Sequence, residues 1–131
     1  MEENKFKVGQ FVWADLTTNQ AGTLKDFYKE LIGWQEFPVN MKDDDGEYQD
    51  YAMLIDQENA AGGICNARGL NKGLPPQWIM YIYVEEVEER LNKSLELGAE
   101  LIHSHKKADG SYNYVILKDP AGAIFGLGNM Q

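Results

Sequence analysis

The feature that most constrains this chain is an internal repeat. Residues 11–33 read FVWADLTTNQAGTLKDFYKELIG and residues 78–98 read WIMYIYVEEVEERLNKSLELG. Each is an apolar alternating run, a polar turn, a helix-forming run and a closing glycine. Gly33 and Gly98 stand about half a chain length apart, so one supersecondary unit is used twice. After each helix come extended segments punctuated by turn residues, which makes each half a strand, a helix and three strands. The expectation is an α+β chain of two tandem βαβββ modules in a single domain over 1–131. The first module spans about 7–66, a linker about 67–76, and the second module about 77–128.

The helices follow from the period of their apolar residues. Leu24, Phe27, Tyr28 and Leu31 recur at i, i+3, i+4 and i+7, a stripe that should lie on a sheet. Asn19 or Thr18 is placed to cap the start, and Gly33 to supply the left-handed stop. In the second helix Val87, Leu91 and Leu95 form the predicted buried stripe. Glu85, Glu86, Glu88 and Glu89 crowd its first turns, where the helix dipole favours negative charge, and read as a solvated face.

Between the helices, GWQEFPVNM and EYQDYAMLID read as strands joined by a hairpin turn at Asp43–Gly46, and AAGGICNA as a third strand. The glycine- and proline-rich NARGLNKGLPP joins the modules. AELIHSH, SYNYVIL and AIFGLGNM complete the second half, with turns at ADGS and DPAG. In the first strand Val12, Ala14 and Leu16 make an apolar side for the helix, which turns Phe11, Trp13 and Asp15 the other way.

Composition narrows the partners. At 131 residues the chain can bury a core without disulfides. Twelve Lys and Arg against twenty-one Asp and Glu leave a formal charge of −9. Such a surface serves solubility first; it repels phosphate backbones and anionic membranes and tolerates or attracts cationic small molecules, so neither nucleic acid nor a membrane is an expected partner. Cys65 is the only cysteine, which fits a reducing compartment. No run is apolar enough to span a bilayer, and the opening MEENKFKVGQ has no apolar signal-peptide region. A cytoplasmic location is expected.

The first strand, then LKDFYKELIGW, a second module opening PPQWIMYIYVEEVEE and a closing KDPAGAIFGL together resemble the vicinal-oxygen-chelate superfamily, the glyoxalase, bleomycin-resistance and extradiol-dioxygenase group. The likeness runs from about Gly9 to Leu127 and leans on the Leu31-Ile32-Gly33-Trp34 helix ending and the Asp119-Pro120-Ala121-Gly122 turn. Within the group it is similar to small proteins described only as glyoxalase-related. The resemblance implies curved mixed sheets around a pocket, often completed by a symmetric homodimer. It also implies, for metal-dependent members, ligands from the first and last strands of each module that hold one divalent ion as a Lewis acid. Carried over, those positions fall on Trp13, Ile79, Gly126 and, in AAGGIC, Gly63 or Ile64. None offers a side chain that binds Zn²⁺, Ni²⁺ or Fe²⁺, so no metal and no other cofactor is expected.

By strand alternation the pocket should be lined by Phe11, Trp13 and Asp15 on one wall and Ile79, Tyr81 and Tyr83 on the other, with Tyr114 added. Tyr51, Met53 and Tyr112 are further candidates whose register is open. Aromatic rings beside one carboxylate suit an aromatic or cationic ligand; alternatively Asp15 serves as a general base. His103 and His105 flank Ser104 on one strand, lack a third ligand at a telling spacing, and read as surface histidines. Cys65 reads as a small buried hydrophobe. The first functional reading is a small-molecule-binding protein without the usual metal site. The alternatives are a lyase, isomerase or dioxygenase-like enzyme, metal-dependent through other ligands or metal-free with Asp15 as base, and an interaction module with a vestigial pocket.

Overall fold

The computed structural model describes residues 6–129. Eight strands and two α-helices follow one another as β1 (Phe11–Thr18), α1 (Ala21–Ile32), β2 (Gln35–Asp43), β3 (Gly46–Leu54), β4 (Ala60–Asn66), β5 (Trp78–Tyr83), α2 (Val87–Glu96), β6 (Glu100–Lys106), β7 (Tyr112–Lys118) and β8 (Ile124–Gly128). This is the α+β pattern of two βαβββ modules. A short 3₁₀ turn, Gly69–Asn71, interrupts the segment expected to be plain linker, and Leu74 just beyond it is buried. Tertiary contacts divide the chain into two compact units, one of Ala14–Trp78 and one combining the described residues up to Trp13 with those from Ile79 onward.

In the unit of the first module the strand order is β2-β3-β4-β1. β2 and β3 form the hairpin expected from DDDG, with Asp43 opposite Gly46 and the turn left to Asp44 and Asp45. β3 and β4 are antiparallel, and β4 runs parallel to β1 with Gly63 opposite Asp15. Leu16, Ala21, Met53 and Ile64 form the core under α1. Tyr28, Trp34 and Trp78 seal it: Tyr28 stacks on Trp34 at 5.7 Å, and the Trp78 indole N–H donates to the Tyr28 hydroxyl at 3.1 Å. Gly33 stops the helix at φ +91°, donating its N–H to the Lys29 carbonyl. Lys29 and Lys25 both donate to one Glu36 oxygen, at 2.7 and 3.0 Å, tying α1 to β2.

Three expectations for this unit need correction. The cap of α1 is neither Asn19 nor Thr18: Gln20 holds the N-cap position without a side-chain bond, while the Thr18 hydroxyl accepts from the Gln20 N–H. Phe27 and Leu31 do not lie on the sheet and are 53% and 65% exposed. The buried face is centred on Ala21, and at 3.6 residues per turn Phe27 sits about 120° and Leu31 about 80° away from it. Tyr51 and Met53 do not join the pocket face, because Tyr51 pairs with Ile64 and Met53 with Gly62. Cross-strand partners share a face, and Ile64 belongs to the core under α1.

In the other unit the order is β5-β8-β7-β6, the same topology repeated. β8 runs parallel to β5 with Gly126 opposite Tyr81, and β7 is antiparallel to both β8 and β6. Val87 and Leu91 of α2 pack with Val115, Leu117 and Leu127. Leu95 is not part of that stripe and is 44% exposed; eight residues beyond Val87, it has drifted about 80° around the helix. Tyr112 packs against this same core rather than on the face of Tyr114. The register between β6 and β7 shifts between His105 and Lys106, and such a bulge turns the residues beyond it to the other side. Among the described residues no helix is long and apolar enough to cross a membrane.

Candidate functional site

The alternation of β5 and β7 puts two kinds of side chain on opposite sides of the second module's sheet. Val115 and Leu117 face α2. Tyr114 and Ile116 face away from it, as do Ile79, Tyr81 and Tyr83 from β5. On that far side four rings gather. Tyr114 is the hub: Tyr81 meets it edge to face at 5.7 Å, His103 edge to face at 6.1 Å, and His105 stacks on it at 5.3 Å with the planes 11° apart. Beneath Tyr81 lies Gly126, whose missing side chain leaves the space that the tyrosine ring occupies.

The rings are not equally open. Ile79, Tyr81 and Tyr83 are buried, so three predicted lining residues are packed by the protein's own atoms. Phe6 lies against Tyr83 with ring centroids 5.8 Å apart, and backbone bonds from Gly9 to Tyr83 and from Tyr83 to Gln10 lay the N-terminal segment along β5. Tyr114 and His103 are half-buried and His105 is exposed. Phe11 is exposed and Trp13 half-buried, both in this unit by their contacts.

His103 departs from the surface role expected of it. Both ring nitrogens are buried, and neither has a hydrogen-bond partner among the described residues. Burial, and then the neighbouring His105, hold its pKa below the ordinary imidazole value. His105 is better served, with Nδ1 3.3 Å from the Asn113 amide nitrogen. Sequence reasoning passed over this pair because it looked for metal-ligand spacing. The usable signal was the parity that sets His103 and His105 on one side of β6, with β7 pairing His105 to Tyr114.

Asp15, the remaining predicted residue, lies in the unit of the first module. It is half-buried, and its carboxylate takes the space a side chain at Gly63 would fill. Gly63 is therefore the counterpart of Gly126, and Asp15 the counterpart of Tyr81. The same side of this sheet carries Cys65, whose thiol is pushed far up, by burial first and then by Asp15 and Asp50. Asp50 is itself buried and accepts from the Asn66 N–H at 2.8 Å and from its side-chain amide at 3.0 Å. Arg68 makes a two-pronged bond to Asp43, at 2.9 and 2.8 Å, and stacks over Tyr48 at 4.2 Å. The groups available here are the carboxylates of Asp15 and Asp50 and a half-buried thiol whose raised pKa favours the protonated form.

The positions at which the superfamily's ion would be held can be checked against this geometry. Trp13, Gly63, Ile79 and Gly126 contribute no ligand atom from their side chains, and Asp15 and Tyr81 fill the places vacant at the two glycines. Among the described residues no three His, Cys, Asp or Glu side chains are grouped to hold a metal. The residues at these positions do not fit the ion.

Comparison with known proteins adds the lineage. Residues 12–127 match the family model of the glyoxalase-like domain. A protein of Mycobacterium tuberculosis named "Putative glyoxylase CFP32" is 25% identical over 126 residues, as is its namesake in Mycobacterium bovis. The match takes in 96% of this chain but 48% of those proteins, so the chain spans about half the length of these relatives. Among solved structures, methylmalonyl-CoA epimerase of Streptomyces coelicolor is similar with a TM-score of 0.56 at 12% identity, covering 92% of this chain and 96% of that one. A hypothetical protein of Bacillus halodurans reaches 0.60 at 13% identity, covering 95% and 96%. A glyoxalase/bleomycin resistance protein/dioxygenase superfamily member from Vibrio splendidus reaches 0.54 at 14% identity, covering 88% and 94%. At such identities the likeness is one of fold.

Proposed function

The chain belongs to the glyoxalase-like domain family, and from that premise we propose that it binds a small aromatic molecule on the ring-bearing side of β5–β8, without the divalent ion of the superfamily's metal-dependent members. The observation that carries this reading is the hub at Tyr114, around which Tyr81, His103 and His105 present three further rings. Such a surface gives a flat ligand stacking area with few charges to desolvate. The donor set supports the metal-free half, since the positions that the resemblance assigns to the ligands fall on Trp13, Ile79, Gly126 and Gly63 or Ile64.

The test is a thermal-shift and NMR titration of the wild type and Tyr114→Ala with a panel of aromatic metabolites and antibiotics. Binding that is lost in the variant and indifferent to a chelator supports the reading. Binding unchanged in Tyr114→Ala, or abolished by the chelator, overturns it.

A second reading, an interaction module whose ligand face is filled by its own residues, draws on the burial of Ile79, Tyr81 and Tyr83. It predicts that no member of the panel perturbs Tyr114. Exposed Phe27, Leu31, Phe37 and Val39 also favour pairing with a second copy of the chain. Light scattering at tens of micromolar, roughly where a standard-sized interface should hold, decides that point.

A further inference from the structure

A buried polar atom without a partner is destabilising, and in native proteins it is an exception that asks for a cause. His103 holds two such atoms. We propose that His103 is the polar selector of this face, its imidazole accepting a hydrogen bond from the O–H or N–H of an uncharged planar ligand lying against Tyr114. The inference rests on the ligand-binding reading above and adds the class of ligand.

The neighbours of the ring leave that role open. A neutral imidazole has one N–H and one lone pair. The ring of Tyr114 lies 6.1 Å away with its plane 73° from that of His103, and a π-cloud offers nothing to the lone pair. The side-chain amide of Asn113 stands at 3.3 Å from His105 and serves that ring instead. Burial keeps His103 neutral at pH 7, so its lone pair is available to a donor. A half-turn about χ2 exchanges the nitrogens with ring carbons and breaks no hydrogen bond, because none is present. The ring can therefore re-aim toward an incoming donor. An anion meets repulsion from a chain of formal charge −9, and the lone pair asks for a donor, so the ligand that fits is a phenol-like or N–H-bearing ring without negative charge.

The test uses the intact chain labelled with ¹⁵N-histidine and ¹³C-tyrosine and two probes that differ by one hydroxyl, 4-methylphenol and toluene. Since the chain has two histidines, His105→Gln, a change at an exposed position, assigns the signals by elimination. The expected result is that 4-methylphenol moves the His103 ring nitrogens while toluene does not. It should also bind about five- to tenfold more tightly than toluene, the margin of one neutral hydrogen bond, and His103→Phe should erase that margin. Either of two results overturns the proposal: 4-methylphenol shifts Tyr114 but leaves the His103 nitrogens unmoved, or the margin survives in His103→Phe. The wild-type nitrogen shifts decide the matter even if the variant folds poorly. If neither probe perturbs Tyr81, Tyr114 or His105, the ligand-binding reading itself fails, a result distinct from failure of His103 alone.

Discussion

The ring of Tyr81 occupies the space beside Gly126 that a side chain at that position would need. The two residues face each other across the parallel pair β5–β8. A Cβ added at 126 would stand 2.6 Å from Cε2 and 2.9 Å from Cγ of the ring, and closer still to Cδ2. The first module repeats the arrangement with Asp15 and Gly63. A glycine opposite a filling side chain is thus common to the two modules, and only the filler's chemistry differs.

Gly126→Ala should destabilise the protein by about 1–3 kcal/mol, the usual cost of overpacking a buried site. Tyr81 is 4% exposed and has nowhere to retreat. Urea denaturation of a double-mutant cycle with Tyr81→Ala checks it. The alanine at 126 should cost far less once the ring is gone, and equal costs in both backgrounds would sever the link between the two positions.

His103 should give the protein an acid-sensitive component of stability. Its folded pKa lies below the ordinary 6.5, lowered by burial first and by His105 second. As pH falls, the unfolded chain therefore takes up the proton before the folded one. The contribution is complete above 6.5 and is lost as pH drops from there toward the folded value. Melting temperatures across about pH 7.5 to 5.5, a window chosen to bracket free histidine, should fall more steeply for the wild type than for His103→Phe. Parallel slopes would assign the acid sensitivity elsewhere.

Cys65 should be a poor nucleophile in the folded state. Burial is the main cause of its raised thiol pKa, with Asp15 and Asp50 adding repulsion, and the thiolate is the reactive form. Alkylation at mildly alkaline pH should be at least about a hundredfold slower in buffer than in urea, where the thiol recovers a free cysteine's pKa. Comparable rates would mean that the thiol is open to solvent.

How far these features can be read in advance depends on whether they leave a periodic trace. The doubled strand–helix unit, the glycine stops at Gly33 and Gly98, and the Asp43–Gly46 hairpin all follow from local chemistry, and the structure has them. Parity along β5 likewise separates Ile79, Tyr81 and Tyr83 from Ile82, which packs with the α2 core. What escaped were features set by pairing. Nothing in YAMLID says that Tyr51 will stand opposite Ile64, and that pairing alone sends it to the helix side. Nor does SYNYVIL show the bulge that parts Tyr112 from Tyr114. His103 escaped for another reason: the burial of its nitrogens is a tertiary fact, and His103 and His105, lacking a third ligand at a telling spacing, read as surface histidines.

If this face takes a small organic molecule without a divalent ion, a native mass spectrum of the protein purified without chelator reports both at once. The expected spectrum shows a chain mass free of bound metal, and an organic adduct of a few hundred daltons (roughly the size such pockets hold) that is retained by the wild type and lost in Tyr114→Ala. One divalent ion per chain, removed by chelator together with the adduct, would contradict it.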